Sequence, residues 1–137
     1  MSSWSRFSSA LAKFAPLFLL VLFLCWQLSS NLIPQRIFAT EEERKIFFAS
    51  IGQNPEKRVI ALVTVWCPAC KAMEANLAAN QIPYVRLDIE QSIQGRSLYD
   101  KSVSLTGQRG IPQVIVDDTW VGHSFSSVLA QLKKKGM

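Results

Sequence analysis

The run Val59-Ile60-Ala61-Leu62-Val63-Thr64-Val65-Trp66-Cys67-Pro68-Ala69-Cys70 joins an apolar, β-branched segment to a CxxC pair. Such a continuous apolar run is the pattern of a strand buried on both faces. Pro68 follows where a first-turn proline is tolerated, and Ala72, Met73, Ala75, Leu77, Ala78 and Ala79 are good helix formers up to Asn80. The cysteines therefore fall at a strand-to-helix junction. A thiolate, not a thiol, attacks disulfides, so a redox cysteine needs surroundings that stabilise negative charge. Cys67 at the mouth of the helix would face free backbone N–H groups and the positive end of the helix dipole, with Cys70 on the same face of the first turn. One cysteine can attack and the other resolve.

Upstream, Pro34 to Ala39 reads as a linker, and Thr40-Glu41-Glu42-Glu43 as an N-cap with acidic residues in the first turn of a short helix ending near Ile51. Downstream, Pro83 starts a second strand, Tyr84 to Leu87, closed by Asp88, and a polar helix from about Glu90 to Leu105 stops at Gly107. Pro112 to Val116, a turn at Asp117-Asp118, and Thr119 to Gly122 read as a hairpin. Ser124 or Ser126 can cap a final helix containing Val128, Leu129 and Leu132. Strands joined through a helix should lie parallel and a hairpin antiparallel, so the expected fold class is α/β, a four-stranded mixed sheet in βαβαββα order with one extra helix in front.

The chain has 137 residues, enough for one domain plus an appendage. From Phe14 to Leu28 the sequence carries no charge, with Arg6 and Lys13 before it and Gln27, Ser29, Ser30 and Asn31 at its far end. That layout implies membrane targeting. The block is shorter than the roughly 20 apolar residues of a usual span, although Leu32 and Ile33 could extend it. A cleaved signal peptide would close on small residues at an A-x-A-like site, which Gln27 to Asn31 does not supply. The expected organisation is a cytoplasmic tail and transmembrane anchor over 1–33, a linker and extra helix over 34–57, and the redox domain over 58–137. Arg36, Arg44 and Lys45 balance the positive charges before the block. The short tail and signal-like layout favour a single-pass protein of a bacterial inner membrane with its domain in the periplasm.

The net charge is +5, and the run Lys133 to Lys135 contributes to it. At a helix end such cations complement the dipole, and no aromatic is interleaved with them, so no nucleic-acid partner is expected. A monomer is expected.

Three cysteines are too few for a disulfide framework, and Cys25, inside the apolar block, reads as a small hydrophobe. The CxxC could be half of a metal or shared iron–sulfur site, but no second CxxC or CxxH pair exists and His123 is the lone histidine. No metal ligands are assigned. Trp66 is open to two readings, a cover for the sheet edge or a substrate contact. Gly110-Ile111-Pro112 opens a strand, where proline is either an ordinary strand-start residue or the second residue of a cis peptide. His123, beside the hairpin, is either a surface residue or a group that tunes Cys67.

Taken together, VIALVTVWCPACKAMEANL, IPYVRLDIE, TGQRGIPQVIVDD and VGHSF make residues 59 to 132 resemble a glutaredoxin of the thioredoxin superfamily. The resemblance implies a thiol-disulfide oxidoreductase with Cys67 as nucleophile, Cys70 as resolving thiol, and a cis Pro112 packed against the pair, supported by Trp66 and Pro68. It also implies that the Ile111 backbone pairs with an extended substrate, glutathione or a cysteine-bearing peptide, with Gly122 and His123 nearby. No bound cofactor is implied, and glutathione is the candidate reductant. Glutaredoxins commonly have lysine where Thr64 stands, an aromatic where Ala69 stands, and Gly-Gly followed by acidic residues where this chain reads Gly122-His123-Ser124-Phe125-Ser126. Trp66-Cys67 is closer to the thioredoxin pattern. These departures bring a protein thiol substrate or a membrane-bound donor into view beside glutathione.

Overall fold

The computed structural model describes residues 4–32 and 35–137, and side chains over 13–28 and 35–137. Two compact units result, 1–34 and 35–137.

In the first unit, α1 (Trp4–Leu32) contains Pro16. Its large apolar side chains from Phe14 to Leu28 are exposed, Leu17 at 62% and Leu24 at 51%. Among the described residues no helix is long and apolar enough to cross a membrane, so the expected anchor finds no support in that measure. The side chains of Arg6 and of Ser29 to Asn31, and all of Ile33, which entered the reading of its ends, lie outside the described residues.

The second unit runs α2 (Glu41–Ser50), β1 (Val59–Val63), α3 (Pro68–Ala79), β2 (Tyr84–Asp88), α4 (Ile93–Thr106), β3 (Gln113–Val116), β4 (Thr119–Gly122) and α5 (Phe125–Lys134). The sheet order is β2-β1-β3-β4. β1 pairs parallel with β2 and antiparallel with β3, and β3 pairs antiparallel with β4. All five residues of β1 are buried, because helices cover both faces of the central strand. Val59, Ala61 and Val63 point into one cluster with Cys67, Cys70, Met73, Leu77, Val128 and Leu132. Ile60 and Leu62 point into the other, with Ile37, Phe38, Phe48, Leu87 and Leu98.

Three of these boundaries, and the side-chain cap of α5, differ from the sequence reading. β1 stops at Val63, whose register partner Asp88 ends β2, so Thr64 and Val65 lie beyond the ladder. α4 begins at Ile93 instead of Glu90, because the Asp88 carboxylate accepts from the N–H groups of Glu90 and Gln91 and makes a turn there, after which Ser92 caps the helix. β3 begins at Gln113, since Pro112 has no N–H to give a ladder. Ser124 is the N-cap of α5, but its hydroxyl meets that of Ser126 at 2.6 Å and makes no side-chain cap bond.

The larger correction concerns residues 35–57, which belong to the compact unit. Ile37 donates to the Asp118 carbonyl at 2.6 Å, Trp120 donates to the Gln35 carbonyl at 2.8 Å, and Arg36 bridges Thr119. Residues 35–37 of the expected linker thus lie along the outer edge of β4. Ile37 and Phe38 enter the core, 1% and 2% exposed. α2 then covers the sheet with Phe48, 1% exposed, a burial that contributes roughly 1.5–3 kcal/mol. Thr40 caps α2 by accepting from Glu43 N–H at 3.1 Å, and Glu43 reaches back to Ala39 N–H at 2.8 Å, the reciprocal capping box.

Candidate active site

Cys67 is the N-cap of α3, extended in backbone, and its Sγ accepts the N–H of Cys70 at 3.1 Å. Pro68 occupies the first helical turn, where no N–H is needed. The strand delivers the first sulfur to the helix mouth, and the helix delivers the second one turn on. Both thiols are free. Cys67 is 4% exposed and Cys70 fully buried, so the accessible surface of the pair belongs to Cys67. Burial pushes the Cys70 thiol up to about 12, reinforced by its hydrogen bond with Cys67 and only partly offset by the Thr64 backbone. Cys70 is therefore held protonated at neutral pH. An N-capping sulfur that receives an amide N–H beside a protonated partner is arranged to attack first, with the buried thiol in reserve.

Around the pair, Val65 and Trp66 are exposed at 48% and 62%. Trp66 is held at the β2–α4 turn, where its Nε1 donates to the Glu90 carboxylate. The Ile111–Pro112 peptide is cis. Ile111 packs against both core clusters, one of which contains the two cysteines. Gly122 ends β4 at φ 108, a conformation that favours glycine, and the Trp120 ring lies 3.4 Å from where a Cβ would stand. His123 meets the segment that carries the cis bond. Its Nδ1 meets the Pro112 carbonyl at 2.6 Å, so that nitrogen carries the proton, and its ring stands edge-on to Trp120 at 5.7 Å. A Cβ on Gly110 would come within 3.2 Å of the His123 ring. The structure thus ties His123 to Pro112, Gly110 and Trp120.

Sequence reasoning passed over Glu90, Tyr99 and Gln113. Gln113 carried a signal, being the polar residue inside an otherwise apolar strand, and it is fully buried. Among the described residues no group of three or more His, Cys, Asp or Glu side chains is placed to hold a metal ion.

The glutaredoxin family model matches residues 59–121, which span β1 through β4 with both cysteines and the cis proline. No curated protein matches the sequence. Solved structures that align with it include the holo form of glutaredoxin C1 from Populus tremula x tremuloides, at 17% identity and TM-score 0.46, covering 56% of this chain and 75% of that one. The buckwheat glutaredoxin–glutathione complex aligns at 18% identity and TM-score 0.47, covering 70% of this chain and 87% of that one. A dithiolic glutaredoxin from Trypanosoma brucei brucei aligns at 18% identity and TM-score 0.49, covering 72% and 93%. Residues 59–121 are thus similar to the glutaredoxin family, and that match supports a thiol-disulfide oxidoreductase.

Proposed function

We propose that the chain exchanges disulfides through Cys67 as nucleophile and Cys70 as resolving thiol, acting on protein disulfides or on glutathione mixed disulfides. The observation that carries this reading is the Cys67 sulfur at the N-cap of α3, receiving the Cys70 N–H at 3.1 Å. The Cys67 thiolate attacks a substrate disulfide, forming a Cys67 mixed disulfide and releasing one substrate thiolate, which takes a proton from solvent. Cys70 then loses its proton and attacks the Cys67 sulfur. The second substrate thiolate leaves, and the Cys67–Cys70 disulfide remains. Two electrons from a donor dithiol, or from two glutathione thiols, restore the pair. The Ile111 backbone receives the extended substrate beside Cys67.

The exposed pair Val65 and Trp66 next to Cys67 supports protein substrates, since an apolar rim suits a polypeptide better than a small charged tripeptide. Dithiothreitol-dependent insulin reduction by the full chain should vanish in Cys67→Ser, and Cys70→Ala should accumulate mixed disulfides. Insulin reduction that survives Cys67→Ser would end the proposal, and an empty trap would point to glutathione in place of protein.

The same reading tethers the enzyme to a membrane through α1, as a single-pass protein with its domain in the periplasm of a bacterium. The uncharged stretch Phe14 to Leu28 and the exposure of its large apolar side chains support the tether. Carbonate-resistant membrane association, together with a C-terminal reporter active only outside the cytoplasm, is the expected outcome. Release by carbonate would remove the tether, and cytoplasmic reporter activity would reverse the orientation.

A further inference from the structure

The segment between α4 and β3 has no ladder partner, yet side chains take most of its carbonyls. Gln108 and Gly110 accept from Nε2 of Gln113 at 2.8 and 3.1 Å. Arg109 accepts from the Tyr99 hydroxyl, and the Pro112 carbonyl meets Nδ1 of His123 at 2.6 Å. The carbonyls of Gly107 and Ile111 are the exceptions, and among the described residues Ile111 is free at both of its backbone groups.

Gln113 holds two of those carbonyls, and it is itself held from every side. Its backbone lies in the ladder opposite Leu62. Its Oε1 accepts from Trp120 Nε1 at 3.3 Å and from the Ser102 hydroxyl, whose one proton is shared with the Tyr99 carbonyl at 2.9 Å. Two donors on one side and two carbonyls on the other use the full capacity of a carboxamide and fix which way it points. The side chain is fully buried, where each of these bonds is costly to lose.

We propose that Gln113 is the positioning residue that sets the substrate-pairing edge. Anchored on β3, β4 and α4 together, its carboxamide draws the carbonyls of Gln108 and Gly110 inward and leaves the Ile111 backbone groups unclaimed and turned to an incoming strand. Specificity for extended polypeptide disulfides over small ones thereby depends on a residue that touches neither substrate nor sulfur. This inference rests on the reading that substrates pair at Ile111.

The test compares the full chain with its Gln113→Met and Ser102→Ala variants on two oxidants. One is a disulfide-bonded peptide, and the other is 5,5′-dithiobis(2-nitrobenzoate), which needs only Cys67. Gln113→Met should raise the peptide KM about tenfold, equivalent to about 1.4 kcal/mol. The rate with the small disulfide should stay within about twofold, the selectivity a merely destabilised fold would not produce. Ser102→Ala, which removes one donor that orients the carboxamide, should raise the peptide KM by a smaller factor and decides the matter if Gln113→Met does not fold. An unchanged peptide KM in the folded variants, or equal losses on both oxidants, overturns the inference. A wild-type chain that reduces neither disulfide would instead strike at the oxidoreductase chemistry of Cys67.

Discussion

The indole Nε1 of Trp66 donates to both oxygens of the Glu90 carboxylate, at 3.2 and 3.1 Å. The Trp66 ring, 62% exposed, is thereby held beside the nucleophile from the far end of β2. Trp66→Phe keeps an aromatic and loses the donor. It should lower kcat/KM on insulin about two- to tenfold, the range of one hydrogen bond worth about 0.5–1.5 kcal/mol. An unchanged kcat/KM would reduce Trp66 to a cover for the sheet edge.

Cys70 should resist alkylation when Cys67 does not. With its thiol pushed up to about 12 by burial and by the bond with Cys67, iodoacetamide at neutral pH should label Cys67 and spare Cys70, as mass spectrometry of the cut chain would show. The stability effect has a defined sign. A folded value above the ordinary thiol value favours the protonated native state. The contribution is full below about pH 9 and is lost as pH rises toward about 12. Melting curves should fall across that window and flatten in Cys70→Ala. A variant with the same alkaline slope as the wild type would refute this.

Asp117 sets an acid limb of the opposite sense. Burial pushes its carboxyl up, but the two bonds from Arg58 and the charges of Arg58 and Lys135 outweigh it and hold the group below its usual value. Stability from this pair is present above the unfolded carboxylate value, near 3.8, and is lost as pH falls through the lower folded one. Asp117 has φ 56, a conformation asparagine tolerates, so Asp117→Asn removes the charge with little backbone strain. It should cost about 1 kcal/mol at neutral pH once solvent screening is allowed for, and it should weaken the acid dependence seen by chemical denaturation.

Gly95 in α4 has no room for a methyl group. A Cβ there would stand 2.6 Å from the Asp88 carbonyl oxygen, and Asp88 also holds the turn that precedes α4. Gly95→Ala should destabilise the domain by about 1–3 kcal/mol, against the helix propensity that alone favours alanine. A melting temperature equal to or above wild type would show that the backbone gives way.

The strand-to-helix junction was legible because three independent signals agree there: a β-branched run, a first-turn proline and the CxxC spacing. The hairpin was legible for the same reason, since an apolar run, two aspartates and a second run leave few alternatives. The Pro34 to Ala39 segment misled because its proline and polar residues look like a tether. Its partner, the edge of β4, is more than eighty residues away in sequence, as the bridge from Arg36 to Thr119 shows. Periodicity within a window cannot reach that far. The roles of Glu90 and Gln113 were hidden likewise, because both depend on loops whose path the sequence pattern does not determine. Gln113 stood out as a polar residue in a buried strand, but only its four partners give it a task.

The strip Gln35 to Ile37 also bears on where this molecule can be cut. A fragment starting at Val59, where the glutaredoxin match begins, would strip β4 of the neighbour that satisfies its outer backbone groups and would uncover the surface beneath Phe38 and Phe48. A bare, apolar β edge is a template for other chains. Sedimentation should find that fragment polydisperse, whereas one starting at Gln35 should stay monodisperse.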